Sequence, residues 1–147
     1  MVKEEEVDVK QVALFDRLRP QIATLLDELK ELSKKKADAA MSKFKVNLVN
    51  EKLKEANSLL GAEDRPFQNF ELLDVDNVPT TSDAVIVLSQ YLEALETWRS
   101  ARIFWQEDVG EWYWNIPEEN IWVKTRPPRR ARIEQPQADD DADGEEN

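Results

Sequence analysis

The stretch FDRLRPQIATLLDELKEL, residues 15–32, decides the fold, because its apolar residues recur at alternating spacings of three and four. This spacing places them along one side of an α-helix and so predicts an amphipathic helix. Pro20 lies inside the stretch, but the apolar stripe keeps its phase across it, and we therefore expect one helix kinked at the proline. The alternative is a short helix over residues 9–19 followed by a main helix that begins at Pro20. The stripe consists of Phe15, Leu18, Ile22, Leu25, Leu29 and Leu32.

A second amphipathic helix is predicted over residues 38–60. Asp38 is suited to cap the start of this helix, and Gly61 is suited to end it in a left-handed conformation. We expect the two helices to form an antiparallel hairpin. A single long helix over residues 21–60 is the alternative, because an apolar residue recurs at every seventh position through this region. The apolar positions of the second helix are Met41, Phe44, Val46, Leu48, Val49, Leu53, Ala56 and Leu60.

A third helix is predicted to begin at Thr81 or Ser82, either of which can cap it, and to run to about residue 107. Gly110 is expected to end it. Residues 61–82 contain two prolines and break the helical pattern, so we expect their apolar side chains to hold this connection against the helices. Those side chains are Phe67, Phe70, Leu72 and Leu73. The apolar face of the third helix is Leu88, Tyr91, Leu92, Leu95, Trp98 and Trp105, and both tryptophans are expected in the core.

The segment EWYWNIPEENIWVK, residues 111–124, predicts a β-hairpin, because apolar residues alternate on both sides of turn-forming residues 117–120. One face of an isolated hairpin must pack on other elements, since two strands alone are marginally stable in water. Tyr113 and Trp122 are expected to share the outer face. The expected pairs are Ile116 with Ile121 and Trp114 with Val123, and the expected inner face is Trp112, Trp114, Ile116, Ile121 and Val123.

Together these elements predict a mainly α protein, built from a helical hairpin plus a third long helix, with a small C-terminal β-hairpin packed on the helices. Residues 1–125 are expected to form a single helical domain that includes the hairpin at 111–124. Residues 126–147 are dominated by Pro, Arg, Gln and Asp, and Ile133 is their only sizeable apolar residue. Such a segment cannot bury enough surface to offset its ordering entropy, so we predict a disordered charged tail.

The composition excludes most catalytic chemistry. The chain has no cysteine and no histidine, which excludes disulfides, thiol nucleophiles, imidazole catalysis and the usual zinc sites. Its three glycines do not form a phosphate-binding loop. Asp74 and Asp76 have the spacing of a calcium loop, but Pro79 stands where that loop needs glycine. We therefore expect no catalytic residue, no cofactor and no metal, and predict that the protein is not an enzyme.

No segment of the sequence predicts an association with a membrane. The longest apolar run, residues 84–88, is far shorter than the roughly 20 residues that span a bilayer. Residues 1–10 lack the basic and apolar regions of a secretory signal. We therefore expect a cytoplasmic protein.

Two aromatic side chains are the strongest candidates for a partner surface. Trp122 and Tyr113 are expected on the outer face of the hairpin, and tryptophan and tyrosine are favoured anchors of protein interfaces. The alternative is that this face is also buried in the fold. The first functional hypothesis is a non-catalytic helical adaptor or accessory subunit that acts through protein–protein interaction, with self-association as one form of it.

The charge pattern gives a second hypothesis, a protein directed at nucleic acid. The net charge is −11, and residues 61–123 hold 3 basic and 13 acidic residues, a net charge of −10. This acidic part would suit a DNA mimic, whereas a DNA or RNA binder would use the basic segment 126–132 and the lysine-rich second helix. Lys36 and Lys43 are seven residues apart and would share one line on a helix. The candidate contacts to phosphates or to an acidic partner are Arg126, Arg129, Arg130, Arg132, Lys36 and Lys43.

Overall fold

The computed structural model describes residues 5–129 and confirms a mainly α protein with a small antiparallel sheet. Inter-residue contacts divide the chain into two compact units. We call residues 8–98 the helical unit, and residues 5–7 with residues 99–129 the described part of the sheet unit. The single domain expected over residues 1–125 stays a prediction. The predicted disordered tail was expected from residue 126, but residues 126–129 are described and the Arg126 and Pro127 carbonyls accept hydrogen bonds from Arg99. From residue 130 the tail lies outside the described residues. The elements are α1 (Val9–Lys35), α2 (Lys43–Asp64), a 3-10 turn (Val75–Asn77), α3 (Thr81–Ser100), β1 (Ile103–Gln106), β2 (Glu111–Trp114) and β3 (Lys124–Thr125).

Helix α1 is one helix that passes through Pro20, so the alternative with two separate helices is wrong. Its start is fixed by a capping box: the Gln11 amide donates to the Asp8 carboxylate at 2.8 Å, and the Asp8 amide donates to the Gln11 side chain at 3.1 Å. The predicted stripe is correct over its first part, but Leu26 is buried rather than Leu25, and Leu32 is 40% exposed. The buried side of α1 is Val12, Phe15, Leu18, Ile22, Leu26 and Leu29.

Helices α1 and α2 form the expected antiparallel hairpin. Arg17 of α1 pairs with Glu55 of α2 at 3.3 Å, and Lys52 of α2 donates to Gln21 of α1 at 2.9 Å. The residue numbers therefore rise along one helix as they fall along the other. Residues 36–42 are not helical, so the single long helix is wrong.

At the two ends of α2, the predicted cap at the start is wrong, and the predicted interruption at Gly61 is correct in position only. The cap at its start is Ser42, whose hydroxyl accepts from the Lys45 amide at 3.2 Å, rather than Asp38. Gly61, with φ +77° and ψ 178°, interrupts the regular helix at the expected position, but its backbone is extended rather than left-handed helical. The last turn, to Asp64, follows this interruption.

Two asparagine side chains of α2, Asn50 and Asn57, hydrogen-bond to the connection between α2 and α3. Asn50 donates to the Leu73 carbonyl at 2.9 Å and accepts from the Leu73 amide at 2.8 Å, as a neighbouring strand would. Asn57 donates to the Glu71 carbonyl at 3.1 Å and accepts from the Tyr91 hydroxyl at 2.7 Å. Of the four apolar residues expected to hold this segment, Leu73 is buried, and Phe67, Phe70 and Leu72 are half-buried.

The buried hydroxyl of Tyr91 should make stability depend on pH at alkaline values. Burial raises the pKa of Tyr91 above its usual value, although its hydrogen bond to Asn57 lowers the pKa. Above about pH 10 the unfolded chain releases this proton while the folded chain retains it, so the free energy of unfolding should fall by up to about 1.4 kcal/mol per pH unit. The fall should continue until the folded pKa is reached. Urea unfolding of wild type and Tyr91→Phe from pH 9 upward measures it, with the variant losing this component.

Tyr113→Phe is the matched control, because it removes the other tyrosine of the chain and keeps Tyr91. It should follow the wild-type pH dependence. A Tyr91→Phe protein whose stability falls as steeply as wild type would show that the lysines alone cause the alkaline destabilisation.

Helix α3 ends at Ser100, so the predicted extension to residue 107 is wrong. Residues 103–106 form strand β1 instead, and Gly110, with φ +68°, lies in the turn between β1 and β2. The cause is a β-branched and aromatic run, Ile-Phe-Trp, that finds a pairing strand in β2. At the start of α3, reciprocal bonds join Thr80 and Asp83 at 3.0 and 3.1 Å, rather than a cap at the following residues.

The three strands pair in the order β1-β2-β3, all antiparallel. The expected hairpin register is confirmed, because Trp112 lies opposite Thr125 in the same register that places Trp114 opposite Val123. The Trp114 amide donates to the Val123 carbonyl at 3.0 Å. The hairpin is therefore not isolated: β1 adds a third strand, with Ile103 opposite Trp114.

Candidate functional site

Three aromatic rings form a cluster on one face of the sheet. Phe104 and Tyr113 lie opposite each other in β1 and β2, with ring centroids 6.3 Å apart. The ring of Trp122 stands edge-on to Tyr113 at 5.3 Å and to Phe104 at 6.2 Å. We call these three residues the aromatic cluster. Tyr113 and Trp122 are thus brought together as their shared face predicted, and Phe104 joins them because residues 103–106 are a strand.

The backbone on either side of Trp122 is held by hydrogen bonds, and its ring is held by the two aromatic contacts. Before it, the Ile121 amide donates to the Glu118 carbonyl at 3.3 Å and closes the turn. After it, Val123 accepts from the Trp114 amide at 3.0 Å, and the next residue belongs to β3. Trp122 nevertheless remains 56% exposed, while Phe104 and Tyr113 are half-buried. The cluster therefore presents a large aromatic side chain to solvent in a defined position.

The segment that contains the aromatic cluster, residues 104–123, is rich in acidic residues. Residues 104–123 contain five acidic residues and no lysine or arginine. Four of the five side chains are exposed, and the fifth, Glu111, pairs with Lys124 at 3.0 Å. Aromatic rings attract cations at their faces, and carboxylates beside them add to that attraction. The acidic residues are Glu107, Asp108, Glu111, Glu118 and Glu119.

The opposite face of the sheet is buried at one end only. Ile103 and Trp114 are each 2% exposed, so Trp114 lies inward as expected. Trp105 was expected in the core on a helix, but it lies on β1, is 44% exposed and packs on Trp112 at 5.6 Å. Among the described residues, the buried Trp112 Nε1 has no hydrogen-bond acceptor. Of the other residues of the expected inner face, Ile116 and Val123 are half-buried and Ile121 is 36% exposed.

A buried arginine anchors the end of the sheet unit. Arg99 is 1% exposed, and its guanidinium donates to the Thr125 hydroxyl at 2.9 Å, the Arg126 carbonyl at 2.7 Å and the Pro127 carbonyl at 3.0 Å. We call these three hydrogen bonds the Arg99 clamp. The sequence does not predict the Arg99 clamp, because an arginine near the end of an amphipathic helix is expected to be exposed to solvent.

The basic residues predicted to contact phosphates do not form one continuous helical line. Lys36 is the C-cap residue of α1 and Lys43 is the first residue of α2, with a non-helical segment between them. Both side chains are exposed, as are Arg126 and Arg129 in the sheet unit. Arg130 and Arg132 lie outside the described residues.

Within residues 5–129 there is no group of three or more acidic side chains arranged to hold a metal ion. None of the helices in that range is both long enough and apolar enough to cross a membrane. Comparisons with protein-family models, with curated proteins and with solved structures found no significant match to this chain.

Proposed function

We propose that this protein is a non-catalytic adaptor or accessory subunit, and that the aromatic cluster binds an arginine-bearing segment of a partner protein. The observation that carries the proposal is Trp122, which is 56% exposed although its ring is held against two other aromatic rings. Exposed tryptophans that are already ordered lose little conformational entropy on binding and are typical anchors of interfaces.

The charge of the surroundings favours a basic protein segment over nucleic acid. Aromatic rings on a sheet can also stack on bases, but such surfaces combine the rings with positive charge that follows the phosphates. Lys124 lies opposite Tyr113 but is paired with Glu111 at 3.0 Å. The four other carboxylates of residues 104–123 are exposed and form no ion pair among the described residues, so the charge left over in this segment is negative and disfavours a phosphate backbone. A guanidinium can instead stack on a ring and hydrogen-bond to a neighbouring carboxylate at the same time.

The nucleic-acid alternative is supported by charge alone. A binder would use Arg126, Arg129 and the residues beyond them, and a DNA mimic would use the excess of acidic residues in the middle of the chain. A DNA mimic gives no role to the aromatic cluster, and a binder that stacked bases on it would bring phosphates to a segment with four exposed carboxylates. The nucleic-acid alternative is therefore the second candidate, and binding of single-stranded DNA tests it.

Replacing Trp122 with alanine should weaken binding of an oligoarginine peptide about thirtyfold, the size expected for the loss of an aromatic anchor. The variant keeps the net charge of the chain, so non-specific attraction of the peptide is unchanged. Isothermal titration calorimetry at physiological salt measures the effect. An oligolysine peptide of equal length should bind more weakly than oligoarginine, because the ammonium group does not stack on rings as a guanidinium does.

Trp105→Ala is the matched control, because Trp105 is also an exposed tryptophan, at 44%, but belongs to the other face of the same sheet. It should bind the peptide as wild type does. Equal binding by wild type and Trp122→Ala would mean that charge alone attracts the peptide and would refute the proposal. Binding of single-stranded DNA that depends on Trp122 would favour the nucleic-acid alternative instead.

A further inference from the structure

The start of α2 presents an exposed aromatic side chain between two lysines. Phe44 is 71% exposed, and Lys43 and Lys45 on either side of it are also exposed. The first turn of α2 contains no acidic residue. Cations at the positive end of a helix dipole disfavour the helix, so this arrangement does not stabilise the fold. We call residues 43–45 the Lys-Phe-Lys knob.

The same helical unit contains an open apolar cleft of about 560 Å³ between the connection that follows α2 and the outer side of α3. Its volume lies within the roughly 300–1,000 Å³ range of clefts that hold small ligands, and is ample for one aromatic side chain. Ile86 on its wall is 59% exposed. The apolar walls are formed by Phe67, Phe70, Leu72, Ile86 and Val87.

Two carboxylates line this cleft without a basic partner. One oxygen of Asp74 accepts from the Asp76 amide, and one oxygen of Asp83 accepts from the Thr80 amide, each at 3.0 Å. Among residues 5–129, no lysine or arginine forms an ion pair with either aspartate. The cleft therefore combines an apolar wall with uncompensated negative charge.

The backbone at the edge of the cleft is also strained. Val78, between two residues that line the cleft, has φ +48° and lies in the left-handed region. A β-branched residue is sterically unfavourable there, and such positions are found preferentially at functional sites. The side chain of Val78 is 57% exposed, so burial of an apolar side chain does not compensate for the strain.

We propose that the cleft receives the Lys-Phe-Lys knob of a second copy of this chain. The ring of Phe44 would contact the apolar walls, and Lys43 and Lys45 would approach Asp74 and Asp83. The Lys-Phe-Lys knob and the cleft are complementary in both hydrophobicity and charge, and this complementarity favours a second copy of the chain as the partner. Each copy carries one knob and one cleft, so a reciprocal exchange would close a symmetric dimer, whereas a one-way contact would continue into a longer assembly.

The test is the mass of the full-length chain, measured by light scattering after size-exclusion chromatography over a wide range of concentrations. Wild type should show a mass above that of the monomer that rises with concentration. Phe44→Ala removes the knob and Ile86→Lys blocks the cleft, and each should weaken association about a thousandfold, because both contacts of the dimer lose about thirtyfold. Both positions are more than half exposed, so both variants should fold, which circular dichroism checks.

Two further measurements make the result specific. Val109→Lys introduces the same charge as Ile86→Lys at a position of matched exposure, 58% against 59%, and should associate as wild type does. A mixture of Phe44→Ala with Ile86→Lys should associate more strongly than either variant alone, because one copy supplies the cleft and the other supplies the knob. A wild-type mass equal to the monomer throughout, or association unchanged by Phe44→Ala, would overturn the proposal.

Discussion

Replacing Arg99 with alanine should lower the free energy of unfolding by about 3–5 kcal/mol, the combined cost of a buried cavity and of three hydrogen bonds from a charged donor. The variant leaves the Thr125 hydroxyl and the carbonyls of Arg126 and Pro127 without their donor. It also leaves a cavity in place of a side chain that is 1% exposed. Urea unfolding followed by tryptophan fluorescence measures the loss.

Two variants show whether the Arg99 clamp is the cause. Arg99→Lys keeps the charge but cannot reproduce the fork of donors, so its stability should fall between wild type and alanine. Arg17→Ala removes an arginine whose side chain is 51% exposed and whose ion pair with Glu55 is on the surface, and should cost less than about 1 kcal/mol. If Arg99→Ala were as mild as Arg17→Ala, the clamp would contribute little to stability.

Replacing Trp114 with alanine should also cost about 3–5 kcal/mol, whereas Trp122→Ala should cost only about 0.5–1.5 kcal/mol, the size of its edge-on ring contacts. The two residues lie on adjacent segments of the same sheet unit, but Trp114 is 2% exposed and Trp122 is 56% exposed. The first variant creates a cavity, and the second removes a side chain that water already reaches. The midpoints of urea unfolding compare the two directly.

This pair of variants separates the structural tryptophan from the proposed binding tryptophan. A large loss of stability in Trp122→Ala would mean that its ring supports the fold, and any loss of peptide binding could then follow from unfolding. A small loss of stability in Trp114→Ala would contradict the burial of its ring.

Much of the helical architecture could be predicted because its signals are local. The three-and-four spacing from Phe15 to Leu29 specifies a helix whatever it packs on, and Gly61 ends the regular part of the next helix by its own conformational freedom. The register of the hairpin could also be predicted from a local signal. The length of the turn at residues 117–120 fixes which residues face each other across the hairpin, and Trp112 lies opposite Thr125 as this length requires.

The end of α3 could not be predicted because its signal depends on another segment. Trp98 and Trp105 are seven residues apart, which suits one face of a helix, but a four-residue strand such as β1 is too short for its own periodicity to decide. Pairing with β2 decides it. The same error hid Phe104, the third member of the aromatic cluster, whereas Tyr113 and Trp122 were expected to share a face.

The Arg99 clamp and the cleft could not be predicted for a similar reason. The acceptors of Arg99 lie 26 to 28 residues further along the chain, and no pattern near Arg99 points to them. Phe44 was assigned to an apolar stripe from its spacing alone, although it is 71% exposed. Long-range contacts of single side chains leave no periodic trace in a sequence.

The Arg99 clamp also has a practical consequence for how the gene can be shortened. A stop codon placed after residue 129 would keep every acceptor of the Arg99 clamp, whereas one placed before residue 125 would delete all three. The protein that ends at residue 129 would lack Arg130, Arg132 and the acidic residues at the end of the chain. The effect of deleting the charged end can therefore be measured without disturbing β3, provided that the shortened chain still includes Pro127.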